Sequence, residues 1–256
     1  MPMQLDTGAI KAESRSLLRT GSVNPFRMTL FYLLITLVLD MINSGVSYMI
    51  DSAGGFTVLS FSFVSILVGL VALVLNAGYY CYCFGILRRE EMPYESLFDA
   101  FPFAGKVILL SIVEGVFIFL WSMLFVIPGI IAVYRYSFAI WNLCQNPELG
   151  VMEALNRSKR QTIGYKGQLF GLHLSFIGWY LIVFVIVGVY EGVILALMPD
   201  SFLGIMLGSL ILTVLTGVVD IYLTPYFALS ECGFYLRATA PEEPPWQDRS
   251  SYTPEF

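Results

Sequence analysis

Long apolar runs alternate with short polar pieces along almost the whole chain, and their lengths set the expected elements. Residues 28–50 and 58–87 are nearly continuous apolar stretches separated by Asp51-Ser52-Ala53-Gly54-Gly55, a turn signal. Each exceeds the ~20 residues with which a helix crosses a bilayer core of about 30 Å. Residues 107–145 form a third run, interrupted in its middle by Pro128-Gly129. One unbroken helix over that stretch would be about 58 Å long. The run is therefore expected to fold back, with Pro128 and Gly129 as the tip of a hairpin of two spans. A fifth span falls within residues 168–198, with Gly178-Trp179 as a possible break. A sixth covers residues 202–226, kinked near Pro225, in a helix that can continue to Arg237. The short alternating segments of a barrel are missing. The expected fold class is all-α: a polytopic helical membrane protein of about six transmembrane helices with amphipathic interfacial helices.

The pieces between the runs have patterns of their own. In residues 8–23, Ile10, Ser14, Leu17 and Leu18 share one face while Lys11, Arg15 and Arg19 form a basic one, as in a helix lying on an anionic membrane surface. Residues 92–105 alternate aromatic and acidic side chains and are expected along the interface. Asn146-Pro147-Glu148 reads as a helix start, with Asn as cap and Pro and an acid in the first turn. That helix runs to about Ile163 and stops at Gly164. Leu149, Met152 and Leu155 give its apolar stripe, and Arg157, Lys159 and Arg160, followed by Lys166, its interfacial basic end. The domains are then an amphipathic N-terminal segment (1–27), one transmembrane domain (28–240) and a Pro-rich, acidic, disordered tail (241–256).

Composition sharpens this picture. The chain is 57% hydrophobic and 13% charged, against about half and about a quarter in soluble domains, which leaves no room for a separate soluble domain. Orientation follows Lys and Arg. Of the fourteen, all but Arg135 fall on one side if there are six spans and the hairpin tip points outward. With five spans, Arg157, Lys159, Arg160 and Lys166 would face out. Both termini are accordingly expected in the cytoplasm, in a bacterial cytoplasmic (inner) membrane. Cys81, Cys83, Cys144 and Cys232 form no CxxC and have no His partner, so neither a metal site nor a disulfide is expected, and no cofactor is implied.

Ionisable residues inside spans are the default functional candidates: Asp40, Glu114, Arg135, Glu191 and Asp220. Counted from the hairpin tip, Arg135 lies about 10 Å below the outer surface, near Glu191 in depth and about 5 Å from Asp40, so either acid is its expected partner. An ion pair that fixes helix register and an ion-coupled or substrate-binding site both fit this set. His173, the one histidine, reads as an interface residue. No catalytic constellation, phosphate loop or HExxH is visible, so an enzyme is not expected.

Residues 120–179 carry a fuller pattern. Leu120, Trp121, Ile127-Pro128-Gly129, Tyr134, Tyr136-Ser137, Asn146-Pro147, Glu153-Ala154, Ser158, Gly164, Lys166, Phe170 and Leu174 through Trp179 stand in order, with Pro225-Tyr226 and Phe234-Tyr235 beyond. This resembles the bacterial integral membrane family grouped as domain of unknown function 975, and more distantly the membrane part of glycerophosphodiester phosphodiesterases. Tyr165 stands where that family has His. The resemblance implies six spans and no established activity. The expected role is non-enzymatic, supporting the envelope, organising lipid or scaffolding a partner. The alternative is a small transporter or channel component with a buried Arg–acid pair. Expected partners are membrane lipids, anionic headgroups among them, and a membrane protein partner or a second copy, with no nucleic acid.

Overall fold

The computed structural model describes residues 4–19, 24–52, 56–190, 192 and 202–240, and its regular elements are all helical. Helix α1 (Thr7–Leu17) precedes two long helices, α2 (Pro25–Ser52) and α3 (Phe56–Leu87). Two short 3₁₀ turns (Tyr94–Phe98 and Phe101–Phe103) lead into α4 (Ala104–Leu124), α5 (Val126–Tyr136) and α6 (Ala139–Gln145). Then come α7 (Val151–Gln161), α8 (Lys166–Leu174), α9 (Ile177–Val189) and α10 (Phe202–Thr239). Among the described residues, five stretches are long and apolar enough to cross a bilayer: Pro25–Ile50, Phe61–Leu87, Tyr94–Leu124, Val126–Gln145 and Phe202–Thr239. The pair α8–α9, bent by 49°, makes a sixth if counted as one span. The chain is an all-α polytopic helical protein.

The long apolar run does fold back, but not where expected. Its turn is Phe125, in extended backbone (φ −161°, ψ 156°) between α4 and α5. Pro128 lies instead in the first turn of α5, where a missing N–H costs no helical bond. Gly129 donates its N–H to the Phe125 carbonyl at 3.2 Å and lies so close to Ser122 that a Cβ would overlap that side chain. A proline and a glycine together read as a turn, whereas here one starts a helix and the other lets two helices touch.

The run bends again between α5 and α6, at Ser137-Phe138, and α7 repairs the break. Ser158 Oγ donates to the Arg135 carbonyl at 2.9 Å and accepts from the Phe138 N–H at 3.2 Å. One serine thus satisfies an acceptor and a donor that the broken ladder would leave empty. Helix α7 starts later than expected, with Gly150 at its cap, because Asn146 closes α6 and turns the chain by accepting from the Glu148 N–H at 3.1 Å. Val151, Ala154, Leu155 and Ser158 form its buried face, while Met152 is exposed. Gly164 does end this segment, in left-handed backbone (φ 84°). The bend before α9 falls at Ser175-Phe176, ahead of Gly178-Trp179.

Helix α10 runs antiparallel to α2, with Phe26 stacked on Tyr222 at one end and Tyr48 against Phe202 at the other. Helix α3 is antiparallel to α2 on its other side, tied by Thr29 and Tyr79, whose hydroxyls are 2.7 Å apart. The core is concentrated at the end of the bundle that carries α1. Met28, Tyr79, Tyr82, Phe138, Trp141, Leu172, Phe176, Leu229, Phe234 and Tyr235 are all buried there. Helix α1 joins that core through Ile10 and Leu18, so its apolar face is spent on the protein rather than on a membrane surface. One further fact differs from expectation: Cys81 and Cys144 are joined as a disulfide between α3 and α6, because the α3–α6 packing brings residues far apart in the chain within reach. On the same helix, Gly78 is pressed against the Leu97 carbonyl, where any Cβ would collide with backbone.

Candidate functional site: a polar cavity among α3, α4, α5, α8 and α10

Three long helices approach one another without filling the space between them. A cavity of about 300 Å³ remains, lined by Asn76 and Tyr80 of α3, Ser111 and Glu114 of α4, Tyr134 of α5, His173 of α8 and Glu231 of α10. The positions follow from the local folding just described. The α5–α6 break turns Tyr134 toward α8, where its ring meets His173 at 5.4 Å. Phe227, one turn before Glu231 on α10, covers the imidazole from another side at 5.0 Å. Because α10 continues as helix past Pro225 to Thr239, Glu231 is carried into the bundle rather than out of it.

The chemistry of the cavity is acidic. His173 Nε2 lies 3.7 Å from Glu231 Oε1, beyond hydrogen-bond reach, and is buried without a hydrogen-bond partner among the described residues. Glu231 is only 8% exposed. No lysine or arginine pairs with Glu231 or Glu114 among the described residues. An ionised carboxylate removed from water is costly unless a counter-charge or a hydrogen-bond donor meets it. Glu231 and His173 can take up a proton here, with Glu114 on the same wall, but no three His, Cys, Asp or Glu side chains among the described residues converge closely enough to hold a metal ion. The hydroxyl of Ser137 on the cavity wall is committed to the Tyr134 carbonyl at 3.1 Å.

A second, larger cavity of about 710 Å³ lies between α2 and α10, with Asp40, Asp220, Thr36, Thr213 and Thr216 on its walls. Asn76 borders both cavities and donates to the Tyr32 hydroxyl at 3.3 Å. The ring pairs at either end of α2 and α10 put Asp40 level with residues near 210, about 15 Å along the helix from Asp220. These acids face one groove without forming a pair.

The expected partnership of Arg135 is therefore redrawn. Its side chain lines a separate space of about 240 Å³ with Trp121, Pro128 and Ile131, while Asp40 faces the α2–α10 groove. No ion pair of Arg135 occurs among the described residues, and Glu191 lies outside them. Of the four candidates among the described residues, Glu114 alone reaches the polar cavity. Of the four basic residues expected at the interface, Arg160 is exposed and Arg157, Lys159 and Lys166 are half-buried, with Lys159 Nζ 5.6 Å from the Phe117 and Tyr136 ring centres. His173, expected at an interface, faces the cavity. Glu231 was missed because the sixth span was ended at Tyr226. The signal was present: the stretch FALSECGFYL is apolar and helical in pattern, and Glu231 is its one charge.

A family model described as a protein of unknown function (DUF975) matches residues 123–242. That stretch contains Ser158, His173 and Glu231 and most of the turn between α4 and α5. No curated protein and no solved structure matches the chain.

Proposed function

We propose that this chain is a small transporter or channel component of a bacterial cytoplasmic membrane, and that the Glu231–His173–Glu114 set is its proton-binding site. The observation that carries the reading is a nine-tenths-buried carboxylate beside an unpartnered imidazole, in a cavity formed by apolar helices. Ionisable groups at such positions are costly to keep and mark ion or substrate paths by default. A purely structural role would be served better by a close, hydrogen-bonded pair, and the 3.7 Å separation of His173 and Glu231 is not one. Asn76, shared by the two cavities, links the site to the α2–α10 groove with Asp40 and Asp220.

The scaffolding and lipid-organising reading keeps one specific support, the basic, tightly packed end that presents α1 and α7. Purified protein in sealed vesicles separates the two. Charge movement is recorded on imposed proton, sodium or potassium gradients and on addition of a panel of organic cations. The expected result is a current that Glu231→Gln and Glu114→Gln each lower about a hundredfold or more, within the range for removing a proton-transfer group. Silence in every arm returns the protein to scaffolding.

A further inference from the structure

We propose that the α1 end of the bundle carries a built site for the headgroup of one anionic phospholipid, separate from the polar cavity. A cleft of about 410 Å³ opens between α1, α2 and α10, lined by Arg15, Ser16, Leu18, Arg19, Phe26 and Tyr222. Arg15 is held in a fixed pose. Its Nε donates to the Tyr226 hydroxyl at 2.9 Å, and its guanidinium carbon lies 5.3 Å from the centre of that ring. This anchor uses the inner nitrogen and leaves the two terminal ones without an acceptor among the described residues. Arg19, in the turn just past the helix, lines the same cleft. Paired guanidiniums suit phosphate oxygens better than point charges do, because their planar forks donate two bonds at once.

The cations of α1 are not neutralised by its acids. Asp6 is used as the helix cap, accepting from the Gly8 and Ala9 N–H groups. Glu13 is taken by Arg237 at 2.7 Å. Lys11 lies one turn before Arg15, and its ammonium is held below its usual range, first by burial and then by the Arg15 charge. An anion is therefore attracted to a cluster of positive charge that the protein leaves unbalanced.

Position selects a lipid rather than a free phosphate. Phe26 stands at the start of the first span, where headgroups lie, and the Trp179–Tyr222 ring pair beside it (5.4 Å) is typical of that interface. From the cleft, the groove between α2 and α10 leads into the span past Leu30, Leu34 and Val218, all exposed. Acyl chains leave along those walls. Soluble phosphate would gain the arginines alone.

Native mass spectrometry of the purified full-length chain tests this by counting retained phosphatidylglycerol against phosphatidylcholine. One phosphatidylglycerol should be held in preference. Arg15→Gln with Arg19→Gln should lower that preference by about fivefold per arginine, and Lys166→Gln, basic but outside the cleft, should leave it unchanged. Arg19→Gln alone keeps the test valid if the double variant releases α1, since it spares the Tyr226 contact. A preference that survives in both variants overturns the site. Displacement of the lipid by an equal concentration of free glycerol phosphate overturns the lipid as its ligand.

Discussion

The two ends of the helical bundle solve the same problem of apolar surface in opposite ways. At the α1 end, Trp141, Tyr82, Phe138 and Phe234 are wholly buried among one another. At the far end, Phe119, Met123, Phe125 and Ile127 around the α4–α5 turn are 61–71% exposed, and α9 buries no residue at all. Composition does not separate them, since both are rich in aromatic and aliphatic residues. Their covering helices do: α1, α6, α7 and α8 pack over the spans at the α1 end, while around the α4–α5 turn the apolar side chains stay exposed. Lipid is as apolar as leucine, so spans bound for it gain little by burying side chains against one another. The polar cavity lies between these two regions, walled by α3, α4, α5, α8 and α10.

The sharpest way to break this contrast is a matched pair of truncations. Trp141→Ala should cost about 3–5 kcal/mol, the range for deleting a large buried aromatic. Phe184→Ala, at a position 73% exposed on α9, should stay within about 0.5 kcal/mol. Thermal unfolding in one detergent measures both. Equal losses would mean that the far end is packed in a way its exposure does not reveal.

Glycines give a second pair, somewhat smaller. Gly78→Ala drives a Cβ into the Leu97 carbonyl, and backbone cannot step aside as a flexible side chain could. A loss of about 1–3 kcal/mol is expected. Gly188→Ala on α9 meets nothing within 4 Å and should be neutral or slightly stabilising, since Ala favours the helix by up to about 1 kcal/mol. The ratio of folded to aggregated protein after extraction gives a direct reading of each.

Next in size is Ser158→Ala. It leaves the Arg135 carbonyl without its closer hydroxyl donor, at 2.9 Å, and the Phe138 N–H without its serine acceptor. An unsatisfied buried polar group costs about 1–3 kcal/mol. The Thr162 hydroxyl, 3.4 Å from the same carbonyl, holds the loss toward the lower part of that range. Amide hydrogen exchange should show new opening at the α5–α6 break and none at the α4–α5 turn.

How much of this was legible in the sequence depends on what solvent each element meets. The spans were, because in lipid a helix must satisfy its own backbone and so declares itself by length and apolarity. The places where helices break were less so. Pro128-Gly129 carries every sign of a turn, yet the chain turns at Phe125, where no residue preference marks it. The repair of the second break depends on Ser158, distant in sequence and visible only as a small polar residue on an apolar face. The site was legible in kind but not in membership. Intramembrane charge pointed to Glu114, and the same signal marked Glu231 just past the expected end of the sixth span, whereas His173 enters through packing, which local pattern does not encode. The Cys81–Cys144 link was hidden for the same reason: spacing along the chain says nothing about which faces of α3 and α6 meet.

The smallest expected effect tests whether charge or apolar burial holds α1 in place. The Arg237–Glu13 pair is short, at 2.7 Å, but its side chains are 37% and 49% exposed. Exposed pairs contribute about 0–1 kcal/mol, because water screens them and ordering two long side chains opposes them. Ile10 and Leu18 are 1% and 2% exposed in the core, and each contributes about 1.5–3 kcal/mol by burial. Arg237→Gln should therefore shift the unfolding midpoint by a degree or two at most, in the sense of about 0.5 kcal/mol for a chain of this size, and 1 M salt should remove even that difference. Limited proteolysis supplies the readout for α1 itself. If Arg237→Gln exposed Lys11 and Arg15 to trypsin while leaving the rest intact, the α1 end would be held by charge, and the contrast between the two ends would fail where it is drawn most firmly.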